Sequence, residues 1–392
     1  MKYPFNCVPI GSMIFKDIPF DKLMNIKKEQ MKLKIQFRLA VLLLLMPLIA
    51  LANVDTEITK TTKEKTIRKS FNVSSNATLK VNNSYGNLNV VTWDQNRIEF
   101  DITIKVTGNN AEKVQDRLNR IDVEFSSSSG LVSAITRIGK NEKNWWNWGK
   151  KMNLQLEINY VIKMPITNNV DLNNDYGSIN LDKLEGVAKI NCDYGKITTK
   201  ELMAENNSIN FDYSNNCYFE FIRSGKINAD YSGFTVAKTE NLDLNADYTK
   251  SIIEISENVN YNCDYGSLKI ENINNLEGNG DYLGLRLGNV FKNINIKADY
   301  GSIKLERIAA KAKNIIINSE FTGITIGHDA NYSFNFNIDL EYASLRESDG
   351  FNFTNKEVDG SDKKYNGYYG SKNSGNMVKI NSEYGSVTFK QL

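Results

Sequence analysis

Eleven acidic residues recur at nearly fixed spacing and are the first candidates for chemistry: Asp175, Asp193, Asp212, Asp230, Asp247, Asp264, Asp281, Asp299, Glu320, Glu341 and Glu383. Each immediately precedes an aromatic residue. If each copy is one layer of a stack, neighbouring carboxylates lie about 5 Å apart, the separation of a retaining glycosidase pair. Calcium is the other chemistry such a row suggests. Yet an active site is a local departure from a repeat, and these acids occur in every copy, so the row reads as structural. No EF-hand loop, RTX-type nonapeptide, P-loop, dinucleotide fingerprint or nucleophile elbow accompanies it. The single histidine, His328, would have to serve any His-based triad, and a His-rich zinc site is excluded. It reads as a solvated loop residue. No catalytic residue, metal or cofactor is expected.

Two aromatic clusters are candidates for ligand contact. Trp145, Trp146 and Trp148 lie in NEKNWWNWGKK, a composition that suits sugar stacking, a membrane-interface contact or a seal on the end of a stack. Tyr365, Tyr368 and Tyr369 lie in KKYNGYYGSKNSGN, which reads as surface loop.

Composition narrows the function classes. The chain has 392 residues with a formal charge of +2, but residues 1–52 carry 8 basic and 3 acidic side chains, leaving a net of −3 for the remainder. A nucleic-acid binder would concentrate positive charge, so that class is excluded. Proline numbers 5 and asparagine 53, which points to many short strands and turns.

Residues 31–52, MKLKIQFRLAVLLLLMPLIALA, have a basic n-region, an apolar stretch and an A-x-A ending at Ala52. They read as a signal peptide, with residues 1–30 as a non-native N-terminal extension. Any membrane association would come only through this segment, if uncleaved. Cys192, Cys217 and Cys263 then remain, an odd number at irregular spacing that does not form a disulfide scaffold. Cys192 and Cys263 read as core filler.

The aromatics that follow the acids sit at Tyr176, Tyr194, Tyr213, Tyr231, Tyr248, Tyr265, Tyr282, Tyr300, Phe321, Tyr342 and Tyr384, with an isolated earlier copy at Tyr85. Parity assigns the faces, because side chains alternate along a strand. Apolar residues stand four before and three after the aromatic, as Ile190 and Ile197 do, and small ones two before it, as Cys192 does. Glycine often follows the aromatic, where a corner needs unusual backbone angles. Units this short bury their apolar face only by stacking. The expected fold is all-β, a parallel β-helix or β-solenoid coiling right-handed. Asparagines three before the aromatic should form an amide ladder. Lys269, Arg286, Lys304 and Arg346, or Asp bonds to the turn backbone, are the candidates to offset the acidic row.

Residues 86–168 interrupt the period. Strands are expected over 98–106, 121–126, 131–138 and 153–164, and a helix over 110–121 with Ala111, Val114, Leu118 and Ile121 on one face. This strand–helix–strand insertion should cap the N-terminal end, followed by regular repeats over 169–345, a surface loop over 346–376 and a final coil over 377–392.

The signal peptide, SYGNLNVVTW, the insertion, then NYVIKMPITNNVDLNNDYGSINLDKLEG and serial DYG units resemble the bacterial putative-adhesin family of β-strand-repeat proteins, related to the head (GIN) domain of putative autotransporter adhesins. The resemblance covers roughly residues 70–392. It implies an exported, non-enzymatic protein, at the cell surface or in the periplasm, binding a glycan or an envelope or extracellular protein. A periplasmic structural or stress-related scaffold is the second reading, and a β-helix polysaccharide lyase or hydrolase the third.

Overall fold

The structure, a computed structural model, describes Lys32, Gln36 and residues 60–139, 154–347 and 349–392. The signal peptide as a whole and Trp145, Trp146 and Trp148 lie outside the described residues. Lys60–Leu392 is a compact unit, the second along the chain. The second unit is nearly all β, with one helix among the described residues and 26 strands joined in one hydrogen-bonded network.

From Asn169 to Glu320, successive units pair in parallel with equivalent positions opposite one another. Ile190 faces Leu172, Asn191 faces Asn173 and Asp193 faces Asp175. The register continues through Ile209, Ile227 and Leu244. A side-chain period of two means this register puts the same positions of every unit inside. Leu172, Ile190, Ile227, Ile296 and Ile380 are buried, as are Ile179, Ile197, Leu268 and Ile303 after the corner. In the middle, the strands Cys217–Asp230, Gly233–Asp247, Lys250–Asn262, Ser267–Asp281 and Gly284–Asp299 each run almost from one aromatic to the next. Volume is balanced between layers. Tyr261 occupies a position that is Ile or Leu in most units, and the residue facing it is Gly278, where a Cβ would lie 2.4 Å from the Tyr261 ring.

The N-terminal end changes pairing mode. Thr78–Ser84 and Leu88–Trp93 flank Tyr85 and pair in parallel with the next unit. On their outer sides lie Leu131–Ile138 and Gln155–Pro165, also parallel. Antiparallel strands follow: Ile121–Ser127 on the first, and Arg97–Gly108 then Thr61–Asn72 on the second. The helix Ala111–Asn119 starts where the Asn110 side chain accepts the Lys113 N–H at 2.9 Å, and it buries Val114 and Leu118. Thr61–Asn72 carries Lys63, Lys65, Arg68 and Lys69, and charge on an outer strand opposes further strand addition.

The C-terminal end departs from the sequence reading twice. Residues 346–376 are not a surface loop: Phe351–Asp359 and Asp362–Tyr369 form an antiparallel hairpin that pairs onto Phe334–Glu341. The coil over 377–392 is last in the chain but not in space. Its strand Met377–Glu383 lies between Ile315–Glu320 and Phe334–Glu341, in parallel register with both. The hairpin occupies the outer edge, so the final segment fills the layer inside it.

Candidate functional site

Each corner is built around its aromatic residue. All twelve aromatics, from Tyr85 to Tyr384, have positive φ, between 46° and 64°. The expectation that glycine supplies the unusual angle is therefore corrected: the aromatic adopts the left-handed conformation itself. Glycine follows for closeness. A Cβ on Gly177 would lie 1.9 Å from the Gly86 carbonyl oxygen, and one on Gly195 would lie 2.0 Å from that of Gly177. A left-handed non-glycine residue costs about 1–2 kcal/mol. Ring stacking, at ~0.5–1.5 kcal/mol per pair, is of the size needed to offset it.

The rings form one uninterrupted column in the order Tyr85, Tyr176, Tyr194, Tyr213, Tyr231, Tyr248, Tyr265, Tyr282, Tyr300, Phe321, Tyr384, Tyr342. Centroids are 4.7–5.3 Å apart and planes lie within 10° of parallel. Every ring is 44–60% exposed. Faces are covered by neighbouring rings, so the column presents ring edges and phenol oxygens to solvent.

The acidic row runs beside it. Asp193 Oδ1 accepts the backbone N–H of Asp212 at 3.1 Å, Asp247 Oδ1 that of Asp264 at 3.0 Å and Asp264 Oδ1 that of Asp281 at 2.8 Å. The cationic alternative is corrected for the three residues whose ion pairs are seen, since Lys269 pairs with Glu271 while Arg286 and Lys304 pair with Glu306. Among the described residues, no lysine or arginine forms an ion pair with any of the eleven carboxylates. The crowding is felt: desolvation, then the Asp264 and Asp299 charges, raise the Asp281 carboxyl above its ordinary pKa. Desolvation and then Asp193 do the same to Asp175.

The amide ladder is present next to the acids. Asn191 Nδ2 donates to Asn173 Oδ1 at 2.7 Å, Asn210 to Asn191 at 2.8 Å and Asn228 to Asn210 at 2.6 Å. Sequence reasoning missed two further rows. Seven residues before the aromatic, Asn258 donates to Asn241, Asn275 to Asn258 and Asn293 to Asn275, at 2.8–3.0 Å. Inside the corner, the Ser214, Ser232 and Thr249 hydroxyls accept backbone N–H groups of the neighbouring unit and donate to carbonyls. The spacing of these residues was available in the sequence, since each falls at a constant offset from the aromatic.

The candidate contact residues separate. Tyr365 and Tyr369 are buried in the C-terminal hairpin and Tyr368 is half-buried, so the three do not form an exposed contact patch. His328 is buried too, correcting the solvated reading: Tyr369 and Phe334 pack edge-on against it at 4.6 and 5.7 Å, and burial lowers its pKa. Cys192, Cys217 and Cys263 are all buried free thiols, with Cys192 and Cys263 pushed up to about 12 by desolvation. Among the described residues, no three His, Cys, Asp or Glu side chains converge as metal ligands, and no helix is long and apolar enough to cross a membrane.

Solved structures similar to this chain include a putative cell adhesion protein from Clostridium sporogenes, 12% identical over 84% of this chain and all of the other, with a TM-score of 0.17. A putative adhesin from Parabacteroides distasonis is 11% identical over 66% of this chain and 92% of its own, with a TM-score of 0.29. A putative lipid binding protein from the same organism is 10% identical over 83% and 96%, also at 0.29. Putative adhesins are the kind of protein the DYG-repeat resemblance names. Likenesses at this level carry no argument about function, so the geometry has to. No protein-family model and no curated protein matches the chain.

Proposed function

We propose that the chain is an exported, non-catalytic, adhesin-like protein of the bacterial cell envelope, with its units coiled as a right-handed β-solenoid that holds a glycan or protein partner along one face. In this reading residues 31–52 direct export, 86–168 cap the N-terminal end and 351–369 the other. The observation that carries it is the twelve-ring column, half-exposed along its whole length. Five consecutive carboxylates, Asp193, Asp212, Asp230, Asp247 and Asp264, each accept a backbone N–H of the next unit, which suits holding a shape and not turning over a substrate. The tryptophan cluster at 145–148 is a second candidate contact.

Protease treatment of intact cells, with the protein followed before and after lysis, tests the location. Loss from intact cells supports surface exposure. Protection until lysis overturns it and leaves a periplasmic scaffold. Turnover of an envelope polysaccharide by purified protein would overturn the non-catalytic part.

A further inference from the structure

We infer that the strip formed by the aromatic column and its acidic row is a docking surface for an extended, Lys/Arg-rich polypeptide segment. The inference rests on the proposed binding role of this face and names its partner. Three observations lead to it. Eleven carboxylates stand one layer apart with no cationic side chain among the described residues paired to them. Where the carboxylate bonds the next layer, Oδ1 is the atom used, as at Asp193, Asp212, Asp230, Asp247 and Asp264, and Oδ2 carries no hydrogen bond among the described residues. The adjacent tyrosines expose edges and hydroxyls, not faces.

A surface of this kind is a line of hydrogen-bond acceptors with uncompensated negative charge. Its complement brings positive charge and N–H donors along a line. Ammonium and guanidinium groups do so, and their flexible stems adapt to acids spaced about 4.8 Å apart although same-face residues of an extended chain repeat every ~6.6 Å. An amino-sugar polymer carries the same charge but binds aromatics through their faces, and those are closed by stacking. Eleven steps of the column span ~50 Å, the length of an extended segment of about fifteen residues.

The test uses the full chain and a fluorescent fifteen-residue poly-lysine peptide, with binding read by anisotropy. Poly-glutamate and a chitosan oligomer are the comparison probes. Wild type is expected to bind poly-lysine, with at least tenfold weakening as salt rises from about 20 to about 300 mM, because exposed charges are screened beyond the Debye length. Asp230→Asn, Asp247→Asn and Asp264→Asn together keep an Oδ1 acceptor for the backbone but remove three charges. They should weaken binding at least tenfold with the circular dichroism spectrum retained. Glu112→Gln, Asp122→Asn and Glu124→Gln in the N-terminal cap remove as many charges and should change it less than twofold.

Equal effects of the two triple variants would overturn the inference, since attraction would then follow net charge alone. So would absence of poly-lysine binding at low salt, or chitosan binding that is tighter than peptide binding. Any of these outcomes leaves the envelope reading standing if protease still removes the protein from intact cells, so the two ideas fail separately.

Discussion

Two aromatic assemblies in this molecule use the same residue types in opposite ways. In the corner column, twelve rings stack face to face at a regular interval and stay half in water. In the C-terminal cap, His328, Tyr332, Phe334, Phe336, Tyr365, Tyr369 and Phe389 are buried and meet at mixed angles, from 18° between Phe334 and Tyr369 to 80° between His328 and Phe334. The column is dictated by translation: identical units one strand apart can only place identical rings parallel. The cap has no repeat to obey, so its rings take the edge-to-face and tilted contacts that fill a closed volume. One assembly lengthens the stack and the other ends it.

If the cap is a closed volume of its own, its weakest point is Phe334, which is fully buried and contacts Tyr332, Phe351, Tyr369 and Phe389 with centroids 5.1–6.2 Å away. Phe334→Ala should cost about 3–5 kcal/mol, the usual range for a buried phenylalanine. Because its strand carries the hairpin on one side and Met377–Glu383 on the other, amide hydrogen exchange should rise over 351–383 and stay unchanged near Tyr231. Uniform loss of protection along the whole stack would show that the cap is not a separate contribution.

In the column, position decides the cost. Tyr248 stacks on two rings, Tyr231 and Tyr265, whereas Tyr342 ends the series and, among the described residues, stacks on Tyr384 alone. Tyr248→Ala should destabilise by about 1–3 kcal/mol and Tyr342→Ala by about half that, on the usual worth of an aromatic pair. Urea denaturation of both variants checks the ratio. Equal costs would mean that stacking is not what holds the rings.

Periodic features were legible in the sequence because a repeat multiplies one local signal. The inward Ile and Leu positions, the asparagine row three before the aromatic and the apolar helix face at Val114 and Leu118 follow from parity and local chemistry alone. The left-handed aromatics were not legible: Tyr is disfavoured there, and only stacking between units far apart in sequence makes the conformation worthwhile. Insertion of 377–383 between two earlier units was hidden for a related reason. The order of layers in space is a tertiary choice, and Ile380 pairs equally well in pattern with Ile317 and Ile338. KKYNGYYGSKNSGN looked like loop because eight of its fourteen residues are glycine, asparagine or serine. Yet at Gly367 a Cβ would lie 2.1 Å from the Asn352 carbonyl, so that glycine serves close strand approach.

The smallest expected effect tests whether the acidic row is held against its own repulsion. Desolvation, then the Asp264 and Asp299 charges, raise the Asp281 pKa above its ordinary value in the folded state. A carboxyl raised in this way binds its proton more tightly when folded. The resulting stability is present below the unfolded pKa of about 3.9 and is lost as pH rises through the folded value. Asp281→Asn cannot ionise, yet it keeps the size of the side chain and a side-chain oxygen acceptor. The variant should therefore match wild type near pH 3 and become the more stable of the two near pH 7. The gain in Tm should be only about 1 °C, because the group is largely exposed and solvent screens it. A variant less stable than wild type at pH 7 would mean that the charged carboxylate strengthens the layer contact by more than its neighbours weaken it. The row would then be a stabilising ladder in its own right, with no uncompensated negative charge to offer a cationic partner.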